Sequence, residues 1–133
     1  MWPESIAEIA DRTTDRHGSF DRAVREFIDC WQTAAPERRP GMLADEPGRI
    51  DRRHDSYLAA LAEHLALSAR IDVPEWTEAP DRFLSEPFFS GGLESLKATL
   101  LIESPLAFRR RLIFISADAL SRPHHGLEAV IAS

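Results

Sequence analysis

Ser19-Phe20-Asp21-Arg22-Ala23-Val24-Arg25-Glu26-Phe27-Ile28-Asp29-Cys30-Trp31 decides the fold class. Phe20, Ala23, Val24, Phe27, Ile28 and Trp31 recur at i, i+3, i+4, i+7, i+8 and i+11, which places all six on one face of an α-helix. Asp21, Arg22, Arg25, Glu26 and Asp29 cover the opposite face. Ser19 is positioned as the N-cap, where its hydroxyl can accept an orphan amide of the first turn. A helix with this pattern buries one side, so the stretch predicts a core helix of a helical protein.

Working outward, Ser5-x-x-Glu8 has capping-box spacing ahead of the apolar stripe Ile6, Ile9 and Ala10, which predicts a first helix ending by Gly18. Trp2 is placed to pack back on its first turn. Pro36, Pro40, Gly41, Pro47 and Gly48 punctuate the next segment and leave room for a short helix over 36–44, with Met42 and Leu43 inward. A third long helix is predicted from Asp51 to Arg70, with Tyr57, Leu58, Leu61, Leu65 and Ser68 as its inner stripe and five interspersed alanines favouring helicity. Residues 74–92, rich in Trp76, Phe83, Leu84, Phe88 and Phe89, read as an ordered connection with a single turn over 80–84, because so much aromatic surface is costly to leave in water. Gly91-Gly92 then leads into a helix over 93–102, and Ser104-Pro105 starts another with Ser104 as N-cap and Pro105 at the first helical position. Periodicity leaves Leu112-Ile113-Phe114-Ile115 open between a short strand, an extended segment and buried helix, and Ser116 is placed to cap a last turn through Leu120. The expected architecture is mainly α: a single-domain helical bundle of five or six helices over residues 1–122, with a frayed tail over 123–133. Its expected core includes Phe20, Phe27, Trp31, Leu58, Leu61, Leu65, Leu96, Leu100 and Phe108.

Composition bounds the function. The chain has 133 residues, 16 basic against 22 acidic, for a formal charge of −6, and 44% of it is hydrophobic. That is the balance of an ordinary globular domain. No apolar run approaches the ~20 residues of a membrane span, and Met1-Trp2-Pro3-Glu4 lacks the basic and apolar regions of a secretory signal. One cysteine, Cys30, excludes an intrachain disulfide, so a reducing cytoplasm is the expected compartment. The charge is unevenly spread: seven acids against Arg82 and Lys97 lie between Asp72 and Glu103, and Arg109, Arg110 and Arg111 follow. An acidic chain with one short basic segment argues against direct nucleic-acid binding and leaves oligomeric state open.

The chemistry-bearing residues form no catalytic constellation. Cys30 lies beside Asp29 and Glu26, which raise rather than lower a thiol pKa, and it reads as structural. Asp51, His54 and Asp55 share a helix face and read as a solvated capping cluster rather than a metal site. His64 flanks the Leu61/Leu65 stripe as a boundary residue, and His124-His125 sits in the tail. Zinc spacings, phosphate loops and cofactor motifs are all lacking, so neither cofactor nor metal is expected. The strongest local feature is the arginine triplet. Successive helical side chains are about 100° apart, so one arginine can clamp the acidic 72–103 segment while the others face an anionic partner; the plainer reading is a solvated helix end whose cations offset the C-terminal dipole.

At these residues the chain resembles a known family. Val73-Pro74-Glu75-Trp76, Arg82-Phe83-Leu84, Pro87-Phe88-Phe89, Glu103-Ser104-Pro105, Phe108-Arg109-Arg110 and Ile113-Phe114 are similar to a family of small bacterial helical proteins with no assigned chemistry. Its members are stand-alone chains or regions following a helix-turn-helix in transcriptional regulators, some paired with a nucleotidyltransferase-like partner in a toxin–antitoxin-like arrangement. The resemblance covers residues 55–122 well and the amino-terminal half loosely. It implies a non-enzymatic, antitoxin-like or regulatory module that binds a protein, and it transfers no catalytic residue. The amino-terminal half departs from the regulator form, since it is acidic where a DNA-reading unit would be basic. Arg109, Arg110, Arg111, Trp76 and Phe89 are the candidate contact residues, and replacing all three arginines with serine is expected to weaken a complex while sparing thermal stability. Two other readings stand beside this one: a ligand-sensing regulatory domain with a pocket near Tyr57, His64 and Trp76, and a small hydrolase or transferase without a recognisable motif.

Overall fold

The computed structural model describes residues 3–14, 19–89 and 104–115. Among them the chain is mainly helical, and they fall into two compact units that divide between Ile50 and Asp51. The expectations at Trp2, at the 93–102 helix with Leu96 and Leu100, at Ser116 and in the 123–133 tail lie outside the described residues.

In the amino-terminal unit, α1 spans Ile6–Thr14 and α2 spans Phe20–Thr33; a 3-10 turn, Pro36–Arg38, runs into α3, Arg39–Ala44. The stripe of α2 is buried at Ala23, Val24, Phe27, Ile28 and Trp31, while Phe20 at its start is half-buried. Ile6, Ile9 and Ala10 of α1 are buried as well, and α1 packs on α2 and on α3. Ser19 caps α2 by accepting the Arg22 amide at 3.4 Å. The last turn of α2 carries no basic residue of its own; Arg39 supplies one from α3, donating to the Trp31 carbonyl at 2.9 and 3.2 Å with its guanidinium 5.0 Å from the indole centroid. That contact adds to the Ala34 amide, which donates to the same carbonyl at 3.3 Å, and sets a cation at the negative end of the helix dipole. At α1, Glu8 reaches back to the Glu4 amide at 3.3 Å, and Ser5 donates its hydroxyl to the same carboxylate at 3.4 Å, so the expected box closes one residue early.

The second unit is built on α4, Arg52–Ala69. Asp51 caps it, accepting the His54 amide at 2.9 Å, and Arg70 ends it in the left-handed conformation at φ 60°, with the Ile71 amide returning to the Ala66 carbonyl at 3.0 Å. This is a Schellman-type stop that glycine usually makes. Burial on α4 is wider than a stripe: Leu58, Ala59, Ala60, Leu61, Ala62 and Glu63 are consecutive and all buried, so its middle turns are enclosed on every side. Tyr57 is only half-buried and Ser68 is exposed, which corrects the expected inner face at both ends. Two 3-10 turns follow, Glu75–Glu78 and Pro80–Arg82, both packed on α4. The single-turn helix α5, Leu106–Arg109, packs on α4 as well.

The extended reading of residues 112–115 holds for the pair Ile113–Phe114 (β2), which runs parallel to Phe88–Phe89 (β1) in the register Phe88↔Ile113 and Phe89↔Phe114. Leu112, at φ 64°, makes the turn from α5 into β2, and its carbonyl accepts the Phe88 amide at 2.9 Å. The Ser104 hydroxyl does not cap α5, whose N-cap is Pro105. It donates to the Ile115 carbonyl at 3.0 Å and accepts the Ile115 amide at 2.8 Å, clasping the far end of β2.

Candidate functional site: an arginine–glutamate cluster

The arginine triplet is sorted by helical geometry. At about 100° per residue, Ala107, Phe108 and Arg111 fall on one side of the α5 turn and Leu106, Arg109 and Arg110 on the other. Burial follows that division: the first three are buried and the last three exposed. Arg111, named above among the candidate contact residues, is therefore corrected: its side chain is 0% exposed and engaged within the unit.

Arg111 is held from three elements. Its Nη1 donates to Glu63 Oε1 at 2.6 Å and to the Ala107 carbonyl at 2.9 Å, and its Nη2 donates to the Thr77 carbonyl at 2.8 Å. Phe83 lies beneath it, with the ring centroid 4.4 Å from the guanidinium carbon. Burial pushes the Arg111 pKa down, and the Glu63 carboxylate opposes that shift. Arg110 donates through Nη1 to Glu63 Oε2 at 2.7 Å and through Nη2 to Glu78 Oε1 at 3.0 Å. Its pKa is raised by the hydrogen bonds to Glu78 and Glu63. Glu63 thus spends one oxygen on each arginine, which is the pairing that makes a buried carboxylate tolerable. The expected clamp between the triplet and the acidic 72–103 segment exists at Glu78.

A second wholly buried arginine, Arg82, escaped sequence reasoning. Its Nη1 donates to the Asp55 carbonyl at 3.1 Å, and its guanidinium carbon sits 4.8 Å from the Trp76 centroid. Trp76 is half-buried beside it, and Phe89 is half-buried in a stack with Phe114 at 4.9 Å, so both candidate contact residues have partners inside the unit. Glu63 was also missed. The signal available was a lone carboxylate in the Leu58–Ala66 run of leucine and alanine, a position where a charge needs a partner.

Of the proposed ligand-pocket residues, Tyr57 and His64 both stand edge-on to Phe108, at 5.1 and 6.2 Å, while Trp76 pairs with Arg82. Burial lowers the His64 pKa, which keeps its imidazole neutral near pH 7. At the start of α4, His54 Nδ1 lies 2.7 Å from Asp51 Oδ2. Burial raises the Asp51 pKa, but the His54 amide and ring bonds outweigh it and the net shift is downward. Asp55 is buried, so the solvated-cluster reading applies to Asp51 and His54 only. Among the described residues, no group of three or more His, Cys, Asp or Glu is placed to hold a metal ion. Cys30 is half-buried at a recess of about 120 Å³ that also touches Glu4, Arg38 and Met42, and burial together with Glu4 and Asp29 raises its pKa. A thiol so placed is a poor nucleophile.

The cluster supplies two forked cationic donors and two carboxylates. Guanidinium groups stay protonated near neutral pH, so the two arginines can pair with anions. No helix among the described residues is long and apolar enough to cross a membrane. Comparison with family models, with curated proteins and with solved structures finds no match to this chain.

Proposed function

We propose that this chain is a non-enzymatic, cytoplasmic protein-interaction module, antitoxin-like or regulatory, that acts by binding a partner protein through the outer face of α5. One observation carries this reading. Leu106 is 59% exposed, and Arg109 and Arg110 stand on the same face at i+3 and i+4, above a turn whose inner side is fixed by Arg111 and Glu63. An exposed large apolar side chain rimmed by cations, on a rigidly seated helix turn, is the make-up of a small protein-contact patch. The formal charge of −6 supports a protein rather than nucleic acid as partner. The family resemblance supports a bacterial setting and a nucleotidyltransferase-like partner.

Affinity capture of the tagged chain from its host, followed by mass spectrometry, tests the proposal. A stoichiometric protein retained by the parent chain and lost with Leu106→Ser or Arg109→Ser supports it. A clean eluate, or a partner indifferent to both substitutions, overturns the assignment of this face.

A further inference from the structure

The two carboxylates of the cluster are held very differently. Glu63 is 7% exposed and makes bonds of 2.6 and 2.7 Å, one to each arginine. Glu78 is 52% exposed and sits farther out, at 3.0 and 3.4 Å from Arg110 nitrogens and 3.8 Å from Arg111 Nη2. It rides on the short turn Glu75–Glu78, whereas Glu63 projects from the enclosed part of α4. An exposed pair of this kind adds little to stability, while the inner pair is held away from water by several bonds at once. Arg110 is accordingly fixed by Glu63 on its inner side while its side chain as a whole stays 37% exposed.

We propose that Glu78 occupies, in cis, the position of a partner's carboxylate, so that Arg110, backed by Arg111, is a carboxylate-recognition fork which the chain's own turn keeps filled. This inference rests on the protein-interaction reading for the source of the incoming group. Exchange, rather than simple loss, is what the charges favour: two guanidinium groups face two carboxylates, and departure of Glu78 without replacement leaves one positive charge uncompensated. The fork is already ordered by Glu63, the Thr77 carbonyl and the Ala107 carbonyl, so little side-chain freedom remains to be lost on binding. Leu106 lies one turn before Arg110, where the Arg110 amide bonds the Leu106 carbonyl at 2.9 Å. The fitting ligand is therefore an acidic side chain with an apolar neighbour.

The test is chemical rescue in the full chain. Thermal midpoints are measured for the parent, Glu78→Ala and the double variant Glu78→Ala/Arg110→Ala in sodium acetate against sodium chloride at equal ionic strength. Glu78→Ala is expected to gain about 2 °C over the parent once acetate half-fills the fork, and the double variant to gain nothing beyond the parent. Equal acetate responses in all three proteins overturn the proposal. Glu78→Gln, which keeps the side-chain volume, provides the same comparison if Glu78→Ala does not fold. The source of the carboxylate is read by repeating the titration with N-acetyl-leucyl-glutamate amide. A response at lower concentration than acetate, lost in Leu106→Ser, supports a partner side chain; equal responses assign the fork to free carboxylates and overturn that half. None of these measurements needs the partner, so a failed capture and a failed rescue are separate results.

Discussion

Arg109 and Arg111 are the same side chain two positions apart, and their surroundings give them opposite roles. Arg111 is sealed against Glu63, two backbone carbonyls and Phe83, whereas Arg109 is exposed. Removing one partner of a buried ion pair leaves the other uncompensated, at a cost of about 3–5 kcal/mol. Glu63→Gln is therefore expected to lower the unfolding free energy by about 3 kcal/mol in urea titration, and Glu78→Gln by less than about 1 kcal/mol. Equal effects would refute the inner–outer distinction. Arg70 gives a residue-scale prediction of the other sign. Its φ of 60° strains a side chain with a Cβ, and glycine removes that strain while adding entropy to the unfolded chain. Arg70→Gly should raise stability by about 0.5–1 kcal/mol, seen as a higher urea midpoint with unchanged slope.

At the scale of elements, what was legible in the sequence was local. The α2 stripe, the Ser19 and Asp51 caps and the short helix after Pro36 all arise from neighbours within a turn or two, and the structure has each of them. What was not legible depends on distant chain: Glu63 meets arginines 47 and 48 positions later, and Ser104 meets Ile115 rather than the helix beside it. A pairing of that range leaves no periodic trace, so burial of Arg82 and Glu63 could be suspected only from charges set among apolar neighbours. The same enclosure of α4 governs His64. Its folded pKa lies below the ordinary 6.5, so only well above that value are both states neutral and the residue without influence on the pH dependence. As pH falls through 6.5 the unfolded chain takes up the proton first, and stability declines until the folded pKa is passed. Between pH 7.5 and 5.5 the urea midpoint of the parent should fall further than that of His64→Gln; parallel declines would show that His64 is not protected by burial.

For the molecule as a whole, the sorting of α5 changes how its contact surface must be probed. Replacing Arg109, Arg110 and Arg111 together with serine removes the buried guanidinium from Glu63 along with the exposed ones. The expectation that such a variant spares thermal stability is thereby corrected: it should lose about 3 kcal/mol or more, and loss of a partner from it would report unfolding as readily as a broken contact. Arg109→Ser touches only the outer face and should change stability by no more than about 0.5 kcal/mol. Since Arg109 would act from the rim of a charged patch, its removal should slow association and flatten its salt dependence more than it speeds dissociation. Surface plasmon resonance against the captured partner at two salt concentrations separates the cases. A slower on-rate with an intact melting curve places Arg109 in the encounter surface. An unchanged on-rate with a faster off-rate would move the energetic centre of the patch to Leu106, whose exposed side chain is the apolar anchor the same face provides.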